Sequence, residues 1–390
     1  MNKKVSCIFK IVLLLFILNN QVSAQVVGGN SQTNGSNTNS IITAVPFLQI
    51  TPDARTGSMG NAGVATQGDA NSASINPAKL AMLEDTYGIG LNYSPWLKKI
   101  ANDVSISYLA GFVKIDEQNT VGASIRYFSL GDILLTDANQ QIIGNTNPNE
   151  FAFDLSYARK FSEQFSLGTS LRYISSNITS GIIGGSNASN SINGLSVDIG
   201  ALYSSKSILF GKNAVLSAGL NLSNIGSKMS DSKTSPKYFL PANLKLGGAA
   251  KILIDDYSDI TFALDFNKLL VPTQPIYDDN GNIVKGRNPD RSVTSALLSS
   301  FADAPNGFSE ELKEIGISTG VEYWYNNTFS LRGGYNYENK EKGNASYLTL
   351  GLGLKYQRLN IDFGYILADA NKSPLANTLR FGLKYTFTKY

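Results

Sequence analysis

Residues 149–178 read NEFAFDLSYARKFSEQFSLGTSLRYISSNI, and the fold is decided by how this stretch alternates. Phe151, Phe153, Leu155 and Tyr157 recur at every second position, Ser162 and Glu163 interrupt the run, and Leu167, Leu171 and Tyr173 resume it. A period of two is that of a strand whose side chains point alternately to opposite faces. The stretch therefore predicts two antiparallel strands, 149–161 and 164–178, joined by a tight turn. Each is about long enough to cross a bilayer at a tilt.

Working outward, the same pattern recurs from residue 86 to the C-terminus. Strands are expected at 86–94, 102–114, 119–130, 149–161, 164–178, 192–205, 212–223, 242–254, 257–268, 313–325, 328–338, 345–357, 359–368 and 377–388. The connections alternate between short and long: 115–118 short, 131–148 long, 162–163 short, 179–191 long, 206–211 short, 224–241 long, 255–256 short and 267–312 very long. Residues 326–327 and 358 are short again, with 339–344 and 369–376 longer. About fourteen strands, an even number, with tight turns on one side and long loops on the other, predict an all-β transmembrane antiparallel barrel. A soluble sandwich has no reason to keep that asymmetry. Both termini are then expected in the periplasm and the long loops outside the cell.

Charges sit on the face opposite the apolar rows. This parity holds for Arg126, Asp154, Arg172, Asp198, Lys245, Asp265, Glu322, Arg332, Lys355, Asp362, Arg380 and Lys384. A Lys or Arg in mid-bilayer lipid costs about 2–4 kcal/mol, so these twelve residues are expected to face the lumen. Their mixed sign favours a narrow interior with charges paired across strands over a wet pore, and it suits an apolar tunnel poorly.

Composition excludes several chemistries. Of 390 residues, 16% are charged, 36 are Gly, one is Cys and none is His. Without His there is no imidazole base, no Ser-His-Asp system and no His metal ligand, so no catalytic, cofactor or metal residues are expected. Residues 1–24 read as a secretory signal, with Lys3 and Lys4 ahead of an apolar run and Val22-Ser23-Ala24 as the cleavage site. Cys7 leaves with it. So do Lys3, Lys4 and Lys10, which leaves cations and anions in balance and gives a nucleic-acid partner no support. In the last strand Leu379, Phe381, Leu383, Tyr385 and Phe387 alternate with polar or small residues, resembling the signal read by outer-membrane insertion machinery, although Thr388-Lys389-Tyr390 runs past it.

Ahead of the barrel, residues 25–43 are rich in Asn, Ser, Gly and Thr and read as a flexible lead. Residues 44–85 carry apolar anchors and closely spaced Gly, and are expected to pack in or under the barrel as a hatch-like or plug-like segment, with the barrel itself over 86–390. In that segment Pro52-Asp53-Ala54-Arg55, Gly57, Met59-Gly60, Ala62-Gly63, Asp69-Ala70, Ser72 and Asn76-Pro77-Ala78 resemble the N-terminal signature of the PorV family, outer-membrane components of the type IX secretion system of Bacteroidetes. The Gly-rich and Asn-Pro-Ala portion is shared with FadL-type fatty-acid transporters. The resemblance implies a non-enzymatic protein that binds the C-terminal signal domains of secreted cargo, associates with the translocon barrel Sov (SprA), and passes cargo to the surface attachment complex. A FadL-like transporter of hydrophobic small molecules is the rival reading.

The longest loop is the expected contact surface. A helical turn or two over 292–301 would place Val293, Ala296, Leu297 and Phe301 near one face, and Ser309 is positioned to cap the Glu310-Glu311-Leu312 turn. Leu297, Leu298, Phe301 and Phe308 are the candidate partner-binding anchors, unless the loop folds back onto its own barrel mouth. Glu310-Glu311 reads as a solvated helix end, and Asn280-Gly281 as a hairpin turn rather than part of a calcium loop.

Overall fold

The computed structural model describes residues 41–96, 103–137, 139–178, 191–230, 237–278, 280–368 and 375–387. The expected secretory signal, the expected lead as far as residue 40, most of the 179–191 connection and the last three residues lie outside them. The strands are β1 (Tyr87–Pro95), β2 (Ser105–Lys114), β3 (Asn119–Ser129), β4 (Ile133–Thr136), β5 (Ile142–Thr146), β6 (Asn149–Lys160), β7 (Phe165–Asn177), β8 (Ile192–Leu209) and β9 (Lys212–Gly226). They continue with β10 (Asn243–Leu253), β11 (Ser258–Leu269), β12 (Ile276–Tyr277), β13 (Ile283–Lys285), β14 (Ile315–Tyr325), β15 (Phe329–Tyr337), β16 (Tyr347–Tyr356), β17 (Leu359–Leu367) and β18 (Leu379–Phe387).

Fourteen of these close into one antiparallel barrel in the order β1-β18-β17-β16-β15-β14-β11-β10-β9-β8-β7-β6-β3-β2. Closure is made by β1 against β18, in a register running from Tyr87 opposite Phe387 to Tyr93 opposite Phe381. Closure removes the free edges that a membrane could not solvate. The remaining strands are two small hairpins within long connections, β4-β5 and β12-β13.

The period-two pattern is realised wall by wall. On β6, Leu155 and Tyr157 point outward while Ala152, Asp154, Ser156 and Ala158 are buried inside. Exposed aromatics gather in two rows on the outer wall. Tyr93, Tyr127, Tyr173 and Tyr337 lie toward the long-loop end, and Tyr87, Tyr157, Phe161, Tyr203, Tyr257 and Tyr385 toward the short-turn end. Phe151 and Phe161 are ten residues apart, about 25 Å along the axis at the usual strand tilt, which matches the apolar band of an outer-membrane barrel.

Strand bounds differ most from the sequence expectation along β8 and β9. The segment 206–211, expected as a connection, instead prolongs β8 to Leu209 and leaves a two-residue turn at Phe210-Gly211, both at positive φ (51° and 74°). Positive φ at both positions makes a primed hairpin turn whose twist matches the strands, so pairing continues to Leu209 opposite Lys212. Higher up the same pair, the register shifts between Val197 and Ile199 as β9 bulges at Asn224 (φ 58°). The bulged Asn224 amide donates to Asp198 at 2.7 Å, a re-aiming that bulges permit.

Residues 41–86 lie against the inner faces of the strands as a string of short turns: Pro46–Gln49, Ala54–Gly57, Ser72–Ser74 and Pro77–Met82. Two of them are started by a side-chain cap. Asp53 accepts the Thr56 amide at 2.7 Å, and Asn76 accepts the Ala78 amide at 3.1 Å with Pro77 at the first helical position. Phe47 and Leu48 pack with Ile106, Phe128, Ile174, Leu240 and Ile366 into an apolar cluster inside the barrel. Leu80 and Leu83 pack with Phe112 and Ala158 in another.

Candidate functional site

Room for the inner segment comes from missing side chains on the barrel wall. Gly320 and Gly334 stand opposite each other on β14 and β15, and a Cβ on either would collide with the backbone or side chain of Met59. At Gly200 a Cβ would strike the Asn76 side chain. Asn76 uses the space so provided to donate its amide to the Val64 and Ala201 carbonyls at 2.9 and 3.0 Å. On β11, one oxygen of Asp265 accepts the Gly63 and Val64 amides at 2.7 and 2.9 Å. Lys79 donates to the Gly63 carbonyl at 2.8 Å and to the Thr66 hydroxyl at 3.2 Å.

A ring of six charges joins the segment to four strands. Arg55 pairs with Glu322 (2.7 Å) and Glu322 with Arg332 (2.7 Å). Arg332 then pairs with Asp362 (2.7 Å), and Asp362 with Lys384 (2.8 Å). Lys384 pairs with Asp69 (2.8 Å), and Asp69 returns to Arg55 at 3.5 Å. Three cations and three anions alternate, so each buried charge has an opposite on both sides. Arg55 and Asp69 come from the segment, and Glu322, Arg332, Asp362 and Lys384 from β14, β15, β17 and β18.

A second cluster lies across the lumen. Arg172 pairs with Asp154 at 2.6 Å and Asp198 at 2.9 Å and also donates to Asn224. Asp154 accepts the Ser124 hydroxyl at 2.8 Å. Arg126 donates to the Leu48 and Ile50 carbonyls at 3.0 and 3.3 Å, and Arg380 donates to the Thr51 carbonyl with its guanidinium 5.5 Å above the Trp96 ring.

Of the twelve charges placed inside by parity, Arg126, Asp154, Arg172, Asp198, Asp265, Glu322, Arg332, Asp362, Arg380 and Lys384 are buried. Lys245 and Lys355 are half-buried; Lys245 lines an inner cavity and Lys355 the mouth at the short-turn end. Arg55 and Asp69, the segment's partners for Glu322 and Lys384, are charges that strand parity does not reach. Arg55, Asp69 and Asn76 stand within the quoted motif, but nothing in a one-dimensional pattern says which strand each meets.

The long loop departs from expectation at several residues. The helix Val293–Ser299 forms, with the Ser292 side chain capping the Ser295 amide. Leu298, Phe301 and Phe308 are exposed, at 78%, 50% and 75%. Leu297 turns inward instead, onto the cluster of Ala242, Leu270 and Val271, because it follows Ala296, which is fully buried. Ser309 does not cap the second helix, Phe308–Lys313. Gly307 at φ 72° takes the N-cap position, and the Ser309 hydroxyl donates to the Asn306 carbonyl.

Glu310 and Glu311 are not solvated. They are buried, Glu310 pairing with Lys342 at 2.5 Å and Glu311 with Lys268 at 2.9 Å. Glu314 bridges the same two lysines at 2.6 and 2.9 Å. Glu311 also accepts the Asp303 and Ala304 amides at 2.7 and 2.8 Å. This network pins the loop to β11 and to the neighbouring 338–346 connection. Its members come from distant positions, so the sequence carried no local signal of it. The Asn280-Gly281 turn does join β12 to β13.

The architecture has counterparts among solved structures. The TodX deltaS2S3 mutant monoaromatic hydrocarbon channel superposes with a TM-score of 0.52 at 14% identity, covering 86% of this chain and 99% of that one. The TodX deltaS2 mutant channel gives 0.51 at 13% identity, covering 87% and 99%. A Pseudomonas aeruginosa FadL homologue gives 0.45 at 12% identity, covering 87% and 99%. At these identities the likeness is one of fold. No curated protein sequence matches the chain. The family model described as type IX secretion system protein PorV matches residues 32–276, more than half of the chain, and includes the inner segment with its Asp53-Ala54-Arg55 and Asn76-Pro77-Ala78 motifs. Its fold is a closed fourteen-stranded barrel like that of the TodX channels, and the chain belongs to the PorV family of type IX secretion system proteins.

Proposed function

We propose that this protein acts by its outer surface and not through its lumen. It would bind the C-terminal signal domains of cargo at the long-loop end, receive them from the translocon barrel Sov (SprA), and pass them to the surface attachment complex. Residues 44–85 serve as a fixed plug, the short turns and both termini face the periplasm, and the long loops face outward. The observation that carries this reading is the contrast between a lumen crossed by a closed ring of ion pairs and a loop that presents Leu298, Phe301 and Phe308 to solvent. Large apolar side chains exposed on a loop held rigid by buried ion pairs are the composition of an interaction hot spot. The likeness to TodX channels is one of fold, and the mixed-charge lumen argues against a passage for apolar solutes.

The test replaces Leu298, Phe301 and Phe308 together by Ser. The barrel should assemble normally, the translocon barrel and cargo should no longer co-purify with it, and cargo should accumulate in the periplasm. Wild-type secretion with an unaltered set of co-purifying proteins would move the contact elsewhere, first to the β4-β5 hairpin, where Leu134, Ile142 and Ile143 are also exposed.

A further inference from the structure

Inside the barrel, between the inner segment and strands β9 to β15, lies a cavity of about 110 Å³. Lys245 projects into it from β10, flanked in register by Asn221 on β9 and Asn267 on β11. Asn243, two residues earlier on the same face of β10, lines it too, and Arg126 reaches it from the other side. The polar groups here are under-used. Among the described residues, Lys245 makes no ion pair or side-chain hydrogen bond, and neither does Arg126 form an ion pair, its Nε being buried without a partner. Asn221, 4% exposed, and Asn243 each keep a buried amide oxygen without a partner.

Elsewhere in this lumen the ring and the Arg172 cluster pair cations with carboxylates, while Arg380 and Lys79 are held by carbonyl and hydroxyl oxygens. Here two cations and seven carboxamides face one small space whose lining holds a single carboxylate, Glu338. Asp265 and Asp53 attract the Lys245 ammonium without reaching ion-pair distance, so its hydrogen-bonding capacity stays unfilled at a cost, and carboxamides offer N–H donors once their orientation is chosen for an acceptor. The volume holds about three or four waters, which is also room for one carboxylate or tetrahedral oxyanion and for nothing much larger.

We propose that this cavity is a binding site for a single small oxyanion, held by Lys245 and Arg126 with amide donation from Asn221, Asn243 and Asn267. Bound there, the anion ties the backbone of the inner segment, which Arg126 already grips at Leu48 and Ile50, to β9, β10 and β11. It acts as a stabilising structural ligand of the lumen, independent of what the outer loops bind.

The test uses the full chain in detergent, purified in chloride, with sulfate and acetate as separate probes at matched ionic strength. Anything that binds the folded state alone raises its apparent stability by mass action. At least one probe should therefore raise the unfolding temperature saturably by a few degrees over the chloride control. Lys245→Met should abolish that response. Asn221→Asp should abolish it too, while raising the unfolding temperature in chloride, because the new carboxylate stands directly opposite Lys245 in register and substitutes for the anion. Crystals soaked in selenate should show an anomalous peak within hydrogen-bond distance of Lys245 Nζ. No saturable response in the wild type, an equal response in both variants, or an empty cavity in the selenate crystal would each overturn the proposal, leaving water as the occupant or an adventitious ion only. If either variant fails to assemble, the other variant and the selenate map still decide.

Discussion

At the residue scale, Arg172 shows what pairing inside a lumen implies. Its guanidinium lies between Asp154 and Asp198, both buried. Removing one member of a buried ion network leaves the others desolvated and uncompensated, a cost of about 3–5 kcal/mol. Arg172→Met should accordingly lower the temperature at which the heat-modifiable band converts on gels, with the outer wall unchanged. Arg172→Glu should lower it further, since a third carboxylate then meets two others. An unchanged conversion temperature in both variants would mean that water, and not Arg172, solvates these carboxylates. Parity in the sequence puts all three residues on the inner face of neighbouring strands, which already makes Asp154 and Asp198 the expected partners of Arg172; the barrel's register, with Asp154 directly opposite Arg172, realises both pairs.

At the scale of an element, the 270–314 loop carries its own electrostatic balance. Burial pushes the Asp303 carboxyl up from 3.8 to about 6, the nearby Glu311 and Glu314 add to the rise, and Arg291 at 3.8 Å only partly opposes it. Between those two pH values the folded loop retains a proton that the unfolded loop has released. The loop's stability is therefore highest below about pH 4 and falls as pH rises toward 6, levelling off above it. Hydrogen-exchange protection factors over 293–313, taken relative to the intrinsic exchange rate at each pH, should fall across that window, and Asp303→Asn should remove the dependence and hold the loop at its low-pH protection. A slope that survives Asp303→Asn would assign the proton to another carboxylate of the cluster. Little of this element was legible beforehand. The helix over 293–299 follows from local spacing and the Ser292 cap, whereas Glu310 and Glu311 are buried because Lys268 and Lys342 arrive from other parts of the chain.

For the whole molecule, the ring through Arg55 and Asp69 makes the inner segment part of the barrel's stability and not a loose insert. In planar bilayers the wild-type protein should show little steady conductance. Deleting residues 44–85 should either open a conducting lumen or, where Asp265, Arg126 and Arg380, stripped of their partners in the segment, prevent closure, abolish heat-modifiable folding. A deletion variant that folds like the wild type and conducts no better would mean that the side chains of the wall alone close the lumen.

What the sequence by itself determined is the barrel: alternation of period two sets which face each residue takes, and short and long connections set which end each loop occupies. Both are local properties of a strand in a bilayer, readable without knowing any contact. The twelve inner charges followed from the same parity, because lipid admits neither sign. Beyond Arg172 and its two aspartates on neighbouring strands, tertiary structure alone decided the partners. Which cation meets which anion, which glycine leaves space for Met59 or Asn76, and why Leu297 turns inward while Leu298 does not all depend on strand register and on the path of residues 41–86 through the lumen. Such contacts join positions up to hundreds of residues apart, and pairing of that range leaves no periodic trace in the chain.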